Sequence, residues 1–586
     1  MGGVAVAGQA PGEPRAGDAH ADFPWLGSYP DGIDWHADLP PRPLHDIFDE
    51  AVRRHSSRPC TIFLGQTLSY GEIGELTERL AAGLSRAGLE PGTRVALVLP
   101  NTPYYIVAYY ALLKLGAVVV NVNPLYTVEE MDHQFRDAGC EMAVTLDLAM
   151  LFDKVHALVE RGTIPHALVC PFADLLPTVK KWLFRLFKRR EVADTAAAVR
   201  ADSLLHFREL TGTSGTYPRH EPDIGSDLAV LQYTGGTTGT PKGAMLTHAN
   251  LSANIQQISL WFAGAREGEE VMLAVLPFFH VFGMTGVMNF GLSQGYSLVL
   301  MPRFDLDEAI GLIRRYRPTI LPGVPTLFNA LMNSETLSGE DLSSLSYCVS
   351  GGAPLPLEVR RGFEERAQCS LVEGYGLSET SPVTNLNPFK GLRKDGSIGQ
   401  PVPGTVEEIR SLDDPASPVP PGEKGELCIA GPQVMKGYWN NEAETEQSFT
   451  GAFFRTGDVG YMDEDGFVYL VDRIKDIIVC SGFNVYPRRI EEAIYEHPAV
   501  EETTVVGVSD DYRGETPKAY IRLRAGQSLG EDELRAFLEP KLSKIEMPDY
   551  FEFRDELPKT LVGKLSKKEL REGADSGDES DGKADP

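Results

Sequence analysis

No apolar run of transmembrane length interrupts the 586-residue chain, which argues against membrane-spanning helices. The N-terminal stretch MGGVAVAGQAPGEPRAGDAHAD has neither the basic flank nor the long apolar core of a secretory signal. Its small and polar residues predict an unstructured segment over 1–30, and the chain as a whole is expected to be cytoplasmic. Cysteine is sparse and scattered: Cys60, Cys140, Cys170, Cys348, Cys369, Cys428 and Cys480 form no Cys-x-x-Cys and no cluster with metal-ligand spacing. A disulfide scaffold is thereby disfavoured, and the seven read as buried thiols in a reducing compartment.

Positive charge is also short. Fifty-five Lys and Arg stand against 83 Asp and Glu, a formal net charge of −28. Such a surface repels nucleic acid and favours solubility. Part of the acidity is concentrated in the tail EGADSGDESDGKADP, expected to be unstructured over 573–586; the rest is distributed. Distributed acidity suits a salt-adapted protein, because high salt screens self-repulsion, and points to a halophilic source; an acidic cytosolic enzyme is the plainer alternative.

What is present begins with a 42% hydrophobic content and a length sufficient for at least two domains. The segment LQYTGGTTGTPKGAMLTH, Leu231 to His248, has the glycines, hydroxyls and lysine of a phosphate-binding loop. Glycines let backbone N–H groups turn inward, and threonines add donors with little bulk. It is not the kinase-type loop. Counted from Gly236, that pattern needs Gly and then a hydroxyl residue around Lys242, where Pro241 and Gly243 stand.

Short β-rich runs (TRVALVLP, AVVVNVNP, LAVLQYT, VMLAVLP, YSLVLMP, PTILPGVP, LSYCVSGGAP) alternate with helical patterns such as LSYGEIGELTERLAAGLSRAG. The alternation predicts an α/β large domain over 31–472, with helices layered on largely parallel sheets. A stretch at 172–222 departs from it. There, VKKWLFRLFKRR places Val179, Trp182, Leu183, Leu186 and Phe187 at helical spacing, with Lys181, Arg185, Lys188 and Arg189 on the other face. Pro177 is suited to the first helical position. Periodicity alone allows either core packing or a membrane-surface helix over 177–190. After Asp472, charge density rises and shorter strands and helices alternate, predicting a small α+β domain over 473–572.

Four more motifs complete the set: EGYGLSET with Tyr375 and Glu379, FFRTGDVGYMDEDGFVYLVDRIKD with Asp458 and Arg473, SGFNVYPRRIEEAI, and LPKTLVGKLSKKEL with Lys564. Taken singly, Glu379 reads as a solvated loop acid, Asp458 as a turn former and Lys564 as one exposed lysine among several. In this order, together with the glycine- and threonine-rich loop, they resemble the acyl-adenylate-forming superfamily of acyl-CoA ligases, luciferases and peptide-synthetase adenylation domains, from about residue 40 to 570. VNVNPLYTVEEMDHQF, Gly235 within YTGGTTG, and SGFNVYP look most like bacterial-type long-chain fatty acid–CoA ligases.

The resemblance implies ATP-dependent activation of a fatty acid to acyl-AMP with loss of pyrophosphate, then transfer to coenzyme A. It implies ATP, Mg²⁺ and coenzyme A as cofactor and co-substrates. By the same resemblance, Thr234, Gly235, Gly236, Thr237, Thr238, Gly239 and Lys242 would hold the outgoing phosphates, and Glu379 with Thr234 the metal. Tyr375 would stack on adenine beside Gly351, Gly352 and Ala353, within a binding set that includes Glu373, Gly374, Gly376 and Ser378. Asp458, helped by Arg473, would bind the ribose. Lys564 would stabilise charge between carboxylate and α-phosphate. Val281, Phe282 and Met284 would wall the acyl pocket. His280 is left open between a role beside the reacting carboxylate and one as a packed core residue.

Relatives often carry a bulky aromatic gate near the position of Met284. They usually have an acid where Arg489 stands, leaving Glu491 and Glu492 nearby. The family rotates its small domain about a hinge matching Lys475, withdrawing Lys564 and bringing Gly482 to the pantetheine channel. The same chemistry on a medium-chain or aryl acid is the nearest alternative, and a nucleotide-binding pseudoenzyme a remote one. Peripheral contact with the inner membrane face through 177–190 is admitted. Nucleic acid is not an expected partner; oligomeric state is left open, a homodimer being compatible.

Overall fold

The computed structural model describes residues 23–195, 203–234, 241–510, 512–560 and 563–575. Two large sheets carry most of the chain. The seven-stranded sheet runs in the order Leu204–His206, His166–Cys170, Met142–Leu146, Arg94–Leu97, Val118–Asn121, Leu228–Thr234, Lys242–Thr247. All its neighbours are parallel except the last pair. The nine-stranded sheet has a parallel centre, from Leu371–Gly376 through Tyr347–Ser350, Ile320–Gly323, Val271–Ala274 and Ser297–Leu300 to Pro59–Phe63, with antiparallel strands at both ends. Each of the seven β-rich runs of the sequence forms a strand of one of these sheets.

Local chemistry explains where the helices start. Ser69 and Glu72 make a reciprocal capping box ahead of Tyr70–Arg86, and Thr127 with Glu130 does the same for Val128–Ala138. Helix Pro103–Lys114 opens on proline and is buried along its whole length, as its nearly all-apolar sequence requires. Its one charge, Lys114, is fully buried and is held by Asp49 at 2.5 and 2.6 Å and by Glu78 at 2.8 Å. A buried ammonium without such partners would be strongly destabilising.

A third, five-stranded antiparallel sheet, Val406–Arg410 to Val468–Arg473, closes the large domain. The alternation of strands and helices did not predict it. The small domain follows: long strands Val500–Asp510 and Gly514–Leu523 pair antiparallel, flanked by Ile478–Cys480, Phe483–Val485 and Tyr550–Phe553, with helices Pro487–Tyr495 and Glu531–Leu538.

Two expected boundaries are corrected. Residues 23–30 are not unstructured: Trp25 is 1% exposed, stacks on Phe23 with centroids 4.9 Å apart and lies beside Trp35. At the other end, helix Lys567–Asp575 continues past residue 573. Residues 1–22 and 576–586 lie outside the described residues.

The helix expected within 172–222 spans Thr178–Phe187, with Pro177 as its N-cap rather than its first residue. No residue of it is buried. Lys180 donates to the Leu64 carbonyl at 2.8 Å, Lys181 pairs with Asp174 at 2.7 Å, and Phe184 packs on Phe172. The basic side chains thus tie the helix down, while Val179, Trp182, Leu186 and Phe187 are 56–74% exposed. Among the described residues no helix is long and apolar enough to cross a membrane.

Candidate active site

Several described site candidates lie at the carboxyl ends of the parallel strands, where open α/β sheets leave a crevice. Strand Tyr347–Ser350 runs into Gly351, Gly352 and Ala353, and its neighbour Leu371–Gly376 carries Glu373, Gly374, Tyr375 and Gly376. The glycines at two of these positions are required by space. A Cβ on Gly376 would stand 2.0 Å from the Pro382 carbonyl oxygen. Gly352 has φ +81°, and a Cβ there would lie 2.9 Å from Lys564 Cε and 3.4 Å from its Nζ.

Lys564 therefore sits in the crevice, 92 residues beyond Asp472 in the numbering, because the small domain docks on the large one. The docking platform is helix Pro325–Asn333. Thr326 Oγ1 donates to the Gly563 carbonyl at 2.8 Å, Asn329 Nδ2 to the Glu501 carbonyl at 3.2 Å, and Arg524 to Asn333 Oδ1 at 2.5 Å. None of these contacts was anticipated from sequence; a Thr and two Asn in an otherwise apolar helix were the available signal. Desolvation, reinforced by Arg473 and opposed by Asp458, lowers the Lys564 pKa to about 8.

Asp458 is 4% exposed on strand Phe453–Met462 and is cross-strand partner to Arg473. Arg473 Nε lies 3.2 Å from Asp458 Oδ1, and the Tyr375 hydroxyl donates to Oδ2. Three residues from motifs up to a hundred positions apart thus meet at one carboxylate. Ser378 and Glu379 lie in the short helix Ser378–Thr380, which packs against strand Leu228–Thr234, the strand that ends at Thr234. Glu379 accepts a hydrogen bond from Tyr438 Oη at 2.8 Å. Desolvation raises its pKa, against the pull of that hydrogen bond, Arg473 and Lys242.

Lys242 begins the strand paired with Leu228–Thr234, opposite Thr234. Its ammonium is paired with Glu444 and lies 5.4 Å from the Tyr438 ring centroid. The sequence did not single out Glu444 or Tyr438. Gly235, Gly236, Thr237, Thr238 and Gly239 lie outside the described residues.

His280 is half-buried, and Phe282 N donates to its Nδ1 at 3.3 Å, which places the ring proton on Nε2. Desolvation and the Lys564 charge lower its pKa to about 3, so the imidazole is neutral. Residues Phe282–Asn289 form a π-helix, whose wider turn points Phe282 and Gly286 into a narrow apolar cavity. Ile258, Phe262, Met272, Ile320 and Leu386 form other walls. Of the three residues expected to wall an acyl pocket, only Phe282 lines this cavity. Val281 and Met284 face the core, where Met284 Sδ receives Asn121 Nδ2 at 3.2 Å.

Glu373 is held by the protein around it. One carboxyl oxygen accepts from Leu355 N at 3.2 Å and its carbonyl from Asn387 N at 3.0 Å. Burial pushes its pKa up to about 7. Cys369 departs from the expectation of buried thiols, being half-buried while the other six are buried.

Lys475 occupies the short helix Ile474–Asp476 directly after Arg473. Gly482, with φ +83°, is exposed in the turn between Ile478–Cys480 and Phe483–Val485. Arg489, where an acid was expected, reaches outward to Glu546 at 2.8 Å. The preceding Arg488 is 7% exposed and reaches back to the strand Val468–Arg473 instead. Its backbone N–H donates to Asp472 Oδ2 at 2.9 Å and its guanidinium to the Leu470 carbonyl at 3.0 Å.

Residues 48–439 match the AMP-binding enzyme family, and residues 489–564 match the AMP-binding enzyme C-terminal domain. The chain is 43% identical over 552 residues to a long-chain-fatty-acid–CoA ligase of Bacillus subtilis, covering 94% of this chain and 98% of that one. Among solved structures it is similar to ATP-bound MatB from Rhodopseudomonas palustris, with TM-score 0.78, 28% identity and coverage of 90% and 98%. The anthranilate CoA ligase AuaEII in complex with anthranoyl-AMP superposes with TM-score 0.80 at 25% identity, covering 92% and 98%. Matched in both its large and its small domain, and similar to these proteins over nearly its whole length, the chain belongs to the AMP-binding enzyme family.

Proposed function

We propose that this chain is an AMP-forming acyl-CoA synthetase that activates a long-chain fatty acid with ATP and passes the acyl group to coenzyme A. The observation that carries the reading is Lys564, brought by the small domain against Gly352 and within electrostatic reach of Asp458, Arg473 and His280. A long-chain acid is favoured by the B. subtilis relative; an aryl acid, as in the anthranilate ligase, is the second reading.

In the first half-reaction a carboxylate oxygen attacks the α-phosphorus, the bond to the bridging oxygen breaks and pyrophosphate leaves. Lys564 holds its positive charge where negative charge builds on the phosphoryl oxygens, and is placed before the reaction starts. Asp458 is set to accept from ribose hydroxyls, oriented by Tyr375 and Arg473. Neutral His280 offers its Nε2–H toward the reacting region as a donor. The donor chemistry fits Mg²⁺: Glu379 would supply a desolvated carboxylate oxygen and Thr234, at the end of the strand packed on the Glu379 helix, a hydroxyl. When bound, the ion neutralises polyphosphate charge.

In the second half-reaction the coenzyme A sulfur attacks the acyl carbonyl and AMP leaves. Rotation about Lys475 removes Lys564 and turns exposed Gly482 inward. Lys564→Ala tests the assignment. Adenylation, followed by pyrophosphate release across acids from acetate to oleate, is expected to fall by roughly 10²-fold or more. Thioester formation from supplied acyl-adenylate is expected to survive. Equal loss of both steps would remove Lys564 from this role.

A finer reading concerns where the acid is collected. We propose that helix Thr178–Phe187 rests on an anionic membrane surface, peripherally and reversibly. It shows Val179, Trp182, Leu186 and Phe187 to solvent beside exposed Arg189 and Arg190, on a chain otherwise strongly acidic. Apolar residues supply the anchor and basic ones the headgroup contacts. Co-sedimentation with phosphatidylglycerol vesicles should be lost in Trp182→Glu/Phe187→Glu with the melting temperature unchanged. Equal sedimentation of both proteins would defeat the proposal.

A further inference from the structure

Cys348 and Cys369 are in contact, Sγ to Sγ, at 3.5 Å, and both are free thiols. The proposed chemistry uses neither. Cys348 lies on strand Tyr347–Ser350 with no exposed surface and is register partner to Leu371 of the adjacent parallel strand. Cys369 stands two residues before Leu371 and is half-buried. The other five cysteines are buried. The pair therefore combines a residue partly open to solvent with one closed to it.

The two thiols are not equivalent. Hydrogen bonding from Cys348 lowers the Cys369 pKa, against desolvation and the nearby Glu364 carboxylate, whereas burial raises that of Cys348. The thiol of the partly open residue is thus also the more readily ionised, and the thiolate is the reactive form.

We propose that Cys348 and Cys369 are an oxidisable pair that closes to an intramolecular disulfide when a hydroperoxide reaches Cys369. The Cys369 sulfur attacks the peroxide oxygen, the O–O bond breaks, and with hydrogen peroxide the products are a sulfenic acid and water. The Cys348 sulfur then attacks the sulfenic sulfur; the S–S bond forms, the S–O bond breaks, and a second water leaves with the thiol proton. In sum, two thiols and one hydrogen peroxide give one disulfide and two waters. The sulfurs lose two electrons and the peroxide gains them. A thiol reductant reverses the change.

The bridge would join the two strands that lead into Gly351–Ala353 and Glu373–Gly376. The enclosed segment, with a sequence separation of 21, contains Gly351, Gly352, Ala353 and helix Leu357–Ala367. Cross-linking would restrict unfolding of this segment, so the oxidised protein should melt at a higher temperature than the reduced one.

The test uses the full chain treated with hydrogen peroxide, then alkylated under denaturing conditions. Mass spectrometry should show loss of two hydrogen atoms, one linked peptide joining Cys348 to Cys369, five alkylated cysteines, and reversal by dithiothreitol. In Cys348→Ser the reaction should stop at a sulfenic acid on Cys369, trapped by dimedone; in Cys369→Ser no such product should form. Cys348→Ala serves in place of the serine variant if a thermal melt shows that variant unfolded. The proposal is overturned if both thiols of the folded wild type remain alkylatable after peroxide, if Cys369 passes to sulfinic acid without a cross-link, or if Cys369→Ser shows the same loss of mass.

Discussion

Gly352 and Lys564 share one space, since a Cβ on Gly352 would stand 2.9 Å from Lys564 Cε. Gly352→Ala should therefore displace the lysine as well as strain a backbone at φ +81°. Adenylation is expected to fall by roughly tenfold or more, about 1.4 kcal/mol of transition-state stabilisation. The two residues should not act independently. Introduced into Lys564→Ala, where the clashing carbon is gone, Gly352→Ala should cost distinctly less. Pyrophosphate release by the four proteins of this cycle is the measurement, and equal costs in both backgrounds would contradict the steric account.

Lys564 has a pKa lowered to about 8, and its proposed task requires the charged form. Below that pH the ammonium dominates; above it the charge is lost. The kcat/KM for adenylation, which reports the free enzyme, should decline as pH rises through about 8. Bound polyphosphate favours the ammonium, so kcat should hold to higher pH. Stopped-flow or coupled pyrophosphate assays across pH 7 to 10, an interval of roughly three units around that value, distinguish the two profiles. A flat kcat/KM profile would contradict titration of this group.

Arg488 links the small domain to the last strand of the large one through Leu470 and Asp472. Arg488→Gln removes a charge-assisted hydrogen bond, a loss of about 1.5–3 kcal/mol. The orientation that delivers Lys564 should weaken, and adenylation should fall by roughly tenfold or more, while thioester formation from supplied acyl-adenylate falls less. The ratio of the two half-reactions decides the matter. Arg489→Gln, altering an outward pair with Glu546, should leave that ratio unchanged.

Glu407 is 4% exposed in the antiparallel sheet, with Asn385 donating at 2.9 Å to one oxygen. Burial pushes its pKa up from 4.5 to about 8. The folded protein holds this proton more tightly than the unfolded chain, so stability falls as pH rises from 4.5 to about 8. The slope across that interval is about 1.4 kcal/mol per pH unit. Glu407→Gln abolishes the titration. Denaturant melts at about pH 4 and about pH 9, values below and above the range of about 4.5 to 8, should show the variant gaining on wild type only at the higher pH.

Strands of the two large sheets were legible because buried parallel strands read as short β-rich runs between helical patterns. The antiparallel sheet was not: Val406–Arg410 is VEEIR, and its buried Glu407 and Arg410 hide an inward face behind charge. Short motifs named Tyr375, Asp458, Arg473 and Lys564, which the fold brings together. Partners with no local signature, Tyr438 and Glu444 beside Glu379 and Lys242, emerged only from tertiary contact. Phe282 and Met284, two residues apart, were grouped by the family resemblance of their segment, and the π-helix sends them to different surroundings. The face of Thr178–Phe187 was undecidable from periodicity, since exposure depends on where Asp174 and Leu64 hold its lysines.

Placing Lys564 in a small domain that docks on Pro325–Asn333 also orders events during synthesis. A chain emerging from the ribosome completes the glycine turns, Tyr375 and Asp458 before Lys564 has been translated. On the proposed assignment, the nascent protein acquires the means to hold a nucleotide well before it acquires the means to cleave one. ATP captured by an unfinished copy would help its large domain fold and then leave intact. Adenylation would begin only when the last part of the chain has folded onto the first.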